Sequence, residues 1–250
     1  MGGTSPLARA FDVLLLLACL AAFWQGLHWF AGEVAISSPA DTVRHLAVQF
    51  GRPRFWLHME ESLLAFAYAL ALAWAGGIAL GVWLGAARFA GEVAEPMLVA
   101  LYSLPKVTLY PLVLLVFGLG MEAKVAFGAI HGILPVAIFA MNAVRNIKPV
   151  HVKAARAMRL TPFDAARRVL VPASLPEIVT GLRIGFSLTL LGVVIGEMFA
   201  SQRGLGFMIV NAIGMADTKT MLAVTLLLFV FAATANAGLL WLDRRLNARV

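Results

Sequence analysis

The sequence predicts an all-α, polytopic membrane protein with about six transmembrane helices. Of its 250 residues, 61% are hydrophobic and only 13% are charged, whereas globular domains carry nearer ~25% charged residues. A soluble domain would leave much of this apolar surface in water, whereas a bilayer accommodates it. The apolar residues form runs of about 20 or more, the length that an α-helix needs to cross a bilayer. These runs lie at about residues 8–30, 60–86, 97–119, 123–145, 174–200 and 220–242.

Three short patterns predict helix starts between the spans. Each places a hydroxyl residue three positions before a carboxylate with a proline between them, which is a capping box with proline in the first turn. They are Ser38-Pro39-Ala40-Asp41, Thr161-Pro162-Phe163-Asp164 and Ser174-Leu175-Pro176-Glu177. The first opens a short amphipathic helix that we expect on the membrane surface. Its apolar face comprises Val43, Leu46, Ala47 and Phe50.

Basic residues predict that both termini lie in the cytoplasm, because Lys and Arg are concentrated in cytoplasmic loops. With that orientation, thirteen of the basic residues lie inside and six outside. The inner set is Arg9, Arg88, Arg145, Lys148, Lys153, Arg156, Arg159, Arg167, Arg168, Arg183, Arg244, Arg245 and Arg249. The outer set is Arg44, Arg52, Arg54, Lys124, Arg203 and Lys219.

Glycines and prolines mark special positions within the spans. Small residues four apart let two helix backbones approach closely in lipid. This spacing occurs at Gly77, Gly81 and Gly85, at Gly181 and Gly185, and at Gly192 and Gly196.

Prolines at 105, 111 and 135 are expected to kink or break spans three and four.

The cysteine, histidine and serine residues of the sequence do not form a pattern typical of a catalytic or metal site. The single cysteine, Cys19, excludes an internal disulfide. The phosphate-binding pattern G-x-x-x-x-G-K-[ST] is missing from the sequence. The five histidines have no metal-ligand spacing, and none follows His151 to act as a base for Ser187. The sequence therefore predicts no catalytic residue, bound cofactor or metal site on this chain.

The loop between spans four and five carries the most informative pattern. It reads Lys153-Ala154-Ala155-Arg156-Ala157-Met158-Arg159, then nine residues, then Val169-Leu170-Val171-Pro172. This resembles the E-A-A-x3-G-x9-I-x-L-P signature of ABC-importer permeases. Lys153 replaces the usual Glu, and Arg159 replaces the usual Gly. Because glycine adopts left-handed conformations more easily than arginine, the bend of this loop is uncertain from the sequence.

Further segments in the same order extend the resemblance over about residues 58–242. They look like the nitrate, sulfonate and taurine group of these permeases. The segments are Ser103-Leu104-Pro105-Lys106, Tyr110-Pro111-Leu112, Phe117-Gly118-Leu119-Gly120, Leu175-Pro176, Thr180-Gly181-Leu182-Arg183, Gly196-Glu197-Met198 and Gly204-Leu205-Gly206.

The resemblance implies a division into residues 1–57, with an N-terminal span and surface helix, and 58–245, an importer-permease core formed by the last five spans. It implies the pore-forming subunit of a bacterial inner-membrane importer that moves a small, anionic, sulfonate-, nitrate- or taurine-like solute by alternating access. Expected partners are a second permease copy, ATPase subunits that bind ATP and Mg, and a periplasmic or extracellular substrate-binding protein. No nucleic acid is expected.

The resemblance also implies that the loop 147–172 forms a coupling helix that docks on the ATPase. Its site residues are Lys153, Ala154, Ala155, Arg156, Arg159 and Pro172. Pro149 and Pro162 bound the helix, and the two alanines allow a partner surface to approach closely. The alternative is a basic loop that only orients the protein in the membrane.

Four residues are candidates for the translocation path. Lys106 lies nine residues into span three, about 14 Å deep at 1.5 Å per residue, where a charge should face protein or water. Alternatively, it snorkels to the interface or forms a structural pair. Ser187 and Thr189 lie near the middle of span five, and Glu197 lies at its outer end. A plain interfacial carboxylate is the alternative for Glu197.

The sequence leaves a second class of function open. An ATP-independent secondary transporter or channel would contain midplane coupling-ion sites, often in an inverted repeat. Few acids lie near the middle of the predicted spans, and no repeat is convincing.

Overall fold

The structure is a computed structural model and describes residues 6–33 and 35–247; Arg249, counted above, lies outside them. Within this part of the chain the regular structure is entirely helical, which confirms the predicted fold class. The helices are α1 (Pro6–Ala31), α2 (Pro39–Phe50), α3 (Pro53–Ala86), α4 (Arg88–Ser103), α5 (Tyr110–Phe117), α6 (Met121–Arg145), α7 (Pro149–Ala157), α8 (Pro162–Ala165), α9 (Val171–Ala200), α10 (Leu205–Gly214) and α11 (Thr218–Asn247).

The chain divides into two compact units. One comprises Met1–Trp56 and Met208–Leu228, and the other Leu57–Phe207 and Phe229–Val250. Five helices are long and apolar enough to cross a membrane, and a bent pair of shorter helices could provide a sixth span.

The bent pair confirms the break that Pro105 predicts in the third span, and it shows that the run at 97–119 is not one helix. Helix α4 ends at Ser103, and Lys106–Phe117 follows at 90° to it. Pro105 causes the break, because it has no N–H to donate and disfavours a helical conformation at Leu104, which is extended with ψ 140°. Lys106 therefore lies at the bend and not nine residues along one continuous helix; its depth in the membrane stays a prediction.

The other two prolines are accommodated by helices. Pro111 lies in the first turn of α5, where its missing N–H leaves no hydrogen bond unmade. Pro135 lies inside α6, which continues past it to Arg145.

Two of the three predicted helix caps are confirmed. The Ser38 hydroxyl accepts from the Asp41 N–H at 3.1 Å and donates to the Asp41 carboxylate at 2.6 Å. Thr161 and Asp164 make the same pair of bonds at 3.2 and 2.8 Å.

The third predicted cap, at Ser174, is wrong. Helix α9 begins at Val171 and directly follows a π-helical segment at Ala166–Leu170. Because the chain is already helical before Ser174, its hydroxyl is not needed as a cap. It donates instead to the carbonyl of Val171 at 3.0 Å.

Helix α6 is the centre of the larger unit, and α6 with α9 is its most extensive helix pair. A Cβ atom added to Gly192 of α9 would lie 2.9 Å from the His131 ring and 3.0 Å from the Gly128 Cα. On α3, a Cβ atom at Gly77 would lie 2.6 Å from the Val136 side chain. The predicted close backbone contacts therefore occur on both sides of α6.

A branched side chain at Gly192 should destabilise the protein. We expect Gly192→Val to lower the free energy of unfolding by about 1–3 kcal/mol or more, because the backbone of α6 blocks the new atoms. The measurement is thermal unfolding in detergent. The control is Gly238→Val, since Gly238 has open space around its Cα. Equal unfolding temperatures for the two variants would contradict the close α6–α9 contact.

Candidate functional site

Helix α7 presents an apolar stripe away from the rest of the protein. Pro149 starts the helix, where a missing N–H costs nothing. Val150 and Met158 are 61% and 66% exposed. At 100° per residue, the exposed alanines 154 and 157 lie on the same face as Val150 and Met158, and Lys153 and Arg156 lie along one side of this face. An apolar stripe with a basic border is suited to a protein partner.

The two alanines of the loop signature occupy different environments. Ala154 is exposed, whereas Ala155 is only 5% exposed and lies on the protein-facing side of α7. Of this predicted docking pair, only Ala154 is accessible in the isolated chain. Ala155 instead lets α7 pack closely against its own protein.

Arg159 adopts the left-handed conformation that the signature glycine would allow, with φ 51°. The Arg159 N–H donates to the carbonyl of Arg156 at 3.0 Å, and the Leu160 N–H donates to that of Ala155 at 3.2 Å. These two bonds form a Schellman motif, which ends α7. The hydrogen bonds maintain the turn although arginine carries a Cβ atom. The loop therefore bends through a left-handed residue at Arg159, which the sequence alone did not establish.

Pro172 lies in the first turn of α9, where it fits without breaking the helix. From Pro162 to Ala200 the chain is continuously helical, through α8, the π-helical segment and α9. The segment that follows the Arg159 turn is therefore joined to the fifth span with no intervening loop.

Glu197 belongs to a buried polar cluster, called here the polar clamp, at the far end of α9 from α7. Ser62 donates to the two Glu197 carboxylate oxygens at 2.7 and 2.8 Å. The Gly206 N–H donates to the same carboxylate at 2.9 Å, and the Leu205 N–H donates to the Ser62 hydroxyl at 2.7 Å. Both side chains thus cap the first turn of α10, where free N–H groups favour an anion.

Two further side chains complete the polar clamp. His58 Nδ1 accepts from the Gly204 N–H at 3.1 Å. Lys124, only 1% exposed, donates to Glu61 at 2.9 Å and to the Arg203 carbonyl at 3.1 Å. The loop between α9 and α10 is therefore held by α3, α6 and α9 together.

Sequence reasoning found Glu197 but missed its partners. Ser62 lies 135 residues before Glu197, and no local pattern distinguishes it from a packing serine. Lys124 was assigned to an outer loop, whereas the structure buries it in an ion pair.

The other path candidates are separated by the structure. Ser187 is exposed on α9, whereas Thr189 is fully buried against α6. The Thr189 hydroxyl has no hydrogen-bond partner within the described residues. Lys106 is largely buried, donates to the Tyr102 carbonyl at 3.0 Å and lies 4.8 Å from the centre of the Tyr102 ring. The assignment of these residues to a path stays a prediction.

Within the residues that the structure describes, no group of three or more His, Cys, Asp or Glu side chains is placed to hold a metal ion.

Removing the Ser62 hydroxyl should weaken the polar clamp. We expect Ser62→Ala to lower the free energy of unfolding by about 1–3 kcal/mol, because the Leu205 N–H and the Glu197 carboxylate lose a buried partner. Thermal unfolding in detergent measures the change. Ser103→Ala is the control, since the Ser103 hydroxyl is exposed. A Ser62 variant as stable as this control would contradict the assigned role.

The Arg159 turn should accept glycine and reject a β-branched residue. We expect Arg159→Gly to leave the turn intact, because glycine has no Cβ penalty at positive φ. Arg159→Val should weaken it by about 1 kcal/mol or more. The measurement is hydrogen exchange at the Leu160 amide, which should be faster in the valine variant only. Equal exchange in both variants would contradict the left-handed turn.

Comparisons with known proteins agree with this geometry. The family model described as "Binding-protein-dependent transport system inner membrane component" matches residues 77–248. The taurine transport system permease protein TauC of Escherichia coli (strain K12) is 31% identical, over 77% of this chain and 70% of its own. The nitrate import permease protein NrtB of Leptolyngbya laminosa is 31% identical, over 83% and 75%.

A solved structure shares the fold. A chain of the MetNI methionine ABC transporter, in an inward-facing conformation, matches with a TM-score of 0.67 and 21% identity, over 78% of this chain and 98% of its own. The family model covers more than half of the chain. This chain therefore belongs to the family of binding-protein-dependent transport system inner membrane components.

Proposed function

We propose that this permease forms the pore of an importer that is driven by a separate ATPase subunit, and that α7 is the docking helix for that subunit. The observation that carries the proposal is the exposed apolar stripe of α7, bordered by Lys153 and Arg156. An ATP-independent carrier, the other class considered from the sequence, has no support from the family match.

The connection from α7 to the membrane supports mechanical coupling. The Arg159 turn is closed by two hydrogen bonds, and the chain beyond it is continuously helical from Pro162 to Ala200. If an ATPase displaced α7, most of that movement would therefore be transmitted to α9. Because α6 and α9 pack through glycines, α6 would move with α9.

The proposed assembly contains two permease copies, two ATPase subunits and a substrate-binding protein. In the proposed orientation, the basic residues 153, 156 and 159 would lie on the cytoplasmic side, together with both termini. ATP and Mg would bind to the ATPase subunits, and this chain would change conformation between inward- and outward-facing states.

The proposed path runs along the exposed face of α9 that contains Ser187. Its hydroxyl makes only a long bond, 3.4 Å, to the Arg183 carbonyl, so it is free to meet a solute. Lys106, at the bend between α4 and α5, would provide a positive charge near the path. Thr189 and Glu197 were also predicted to line the path. They are enclosed in the present conformation, so they would have to become accessible in another state.

The proposed substrate is a small anion of the sulfonate or nitrate type. Support comes from the taurine and nitrate permeases among the relatives, and from the positive charge at Lys106.

A bulky residue at Ala154 should uncouple the importer. In proteoliposomes with the ATPase and binding protein, we expect Ala154→Trp to reduce ATP-driven uptake at least ~10-fold, because the indole would hold the partner surface away from α7. The variant should remain inserted but lose co-purification of the ATPase subunit. Ala40→Trp, at another exposed helical alanine, is the control. Wild-type uptake by Ala154→Trp would refute docking through this face.

Cysteine labelling should locate the path. In a Cys19→Ser background, we expect Ser187→Cys to react with a small water-soluble thiol reagent at a rate that changes when nucleotide is added. Leu16→Cys, on the exposed apolar surface of α1, should remain unreactive in every state, because lipid excludes the reagent. Labelling of the Leu16 variant with an inert Ser187 variant would show that the path lies elsewhere.

A further inference from the structure

Helix α2 turns its polar side towards the protein. Gln49 Nε2 donates to the Thr220 hydroxyl at 3.0 Å, and His45 Nε2 pairs with the same hydroxyl at 2.9 Å. Thr42 is fully buried, and its hydroxyl donates to the Ser38 carbonyl at 2.9 Å. The polar groups of α2 are therefore satisfied inside its unit.

An apolar strip of α2, next to the buried polar residues, is exposed. Val43 is 58% exposed and Phe50 is 39% exposed, and Ala47 is exposed between them. These residues are spaced at i, i+4 and i+7, so they share one face. This arrangement is the reverse of a helix on a water-soluble protein, which would bury the apolar face.

Hydrogen bonds hold α2 at the ends of two apolar spans. At the end of α1, Trp24 donates to the Ser37 carbonyl at 3.1 Å and His28 donates to the Ile36 carbonyl at 2.6 Å. At the start of α11, Thr220 binds α2 as described, and Lys219 pairs with Glu33 at 3.0 Å. Since α1 and α11 are each long and apolar enough to cross a membrane, α2 lies at the level of a membrane boundary.

The surroundings of the apolar face match the chemistry of lipid headgroups. Arg44, Arg52 and Arg54 are exposed, and arginine side chains pair with phosphate groups. Trp56 is half-exposed and donates to the Phe50 carbonyl at 2.9 Å. Tryptophan with an apolar ring and a bonded N–H is typical of the membrane–water interface.

We propose that α2 and the start of α3 form a phospholipid-binding surface. Val43, Ala47 and Phe50 enter the acyl region of one leaflet, while Arg44, Arg52 and Arg54 contact the headgroup phosphates. Lipid is the occupant because α1, a helix of the same unit that is long and apolar enough to cross a membrane, also exposes large apolar side chains at Phe23, Trp29 and Phe30.

Fluorescence quenching tests where the apolar face lies. The full-length protein, in a Cys19→Ser background, is placed in phosphatidylcholine nanodiscs with a bimane label on Ala47→Cys. Lipid carrying a shallow nitroxide should quench this label at least ~2-fold more than a label on Gln202→Cys, an exposed loop position. Aqueous iodide should quench the label at Gln202→Cys more strongly than the label at Ala47→Cys.

Three results would overturn the proposal. Strong iodide quenching of the Ala47 label, equal to that at Gln202, would place the face in water. Protection from both quenchers would mean that protein covers it. A disulfide-linked dimer of the unlabelled Ala47→Cys variant would assign the face to a second copy of this chain.

A charge variant tests the arginines. Wild-type protein should melt at a higher temperature in phosphatidylglycerol than in phosphatidylcholine nanodiscs, because anionic headgroups attract the guanidinium groups. The triple variant Arg44→Gln/Arg52→Gln/Arg54→Gln should lose most of that difference, whereas Arg88→Gln, on α4, should keep it. A triple variant that retains the full difference would overturn the assignment of the arginines. If the triple variant fails to fold, the quenching result decides the proposal.

Discussion

The close contact between α6 and α9 is the constraint on which the larger unit depends. Lipid chains are as apolar as leucine, so two helices in a bilayer are not driven together by the hydrophobic effect. Glycines at 128 and 192 remove the side chains that would separate the two backbones, and dispersion contacts then hold them together. Helix α3 uses its own glycines on another side of α6. The loop that contains α7 connects α6 to α9, so the position of α7, the proposed docking helix, depends on this pair.

The two ends of α9 are constrained in different ways. At one end, α9 continues into α8 through a π-helical segment and reaches the Arg159 turn. At the other end, the carboxylate of Glu197 is buried and bonded to Ser62 and to the start of α10. A buried carboxylate is costly unless its oxygens are satisfied, so the loop beside it has little freedom to move. Helix α9 is therefore suited to transmit a displacement rather than absorb one.

The sequence predicted the elements that depend on local chemistry. Apolar length located the spans, and two capping boxes and the glycine spacings were found where expected. The sequence did not predict the angles between helices, or contacts between residues that are far apart along the chain. Pro105 indicated a break in the run at 97–119 but not its angle of 90°. The pattern at Ser174 predicts a helix start, whereas the chain is already helical through the preceding π-helical segment. Ala154 and Ala155 are the same residue type in sequence, but a rotation of about 100° per residue separates their environments. The partners of Glu197 lie too far away in sequence for a local pattern to identify them.

The Arg159 turn bears on how relatives of this chain are recognised. The glycine of the loop signature permits a left-handed backbone conformation. Arg159 adopts that conformation here, with φ 51°, and two hydrogen bonds close the turn. A search that requires glycine at this position would pass over this loop, although its turn is left-handed. Signatures written as permitted torsion angles, with residue types ranked by the strain they incur at each position, would retrieve such chains.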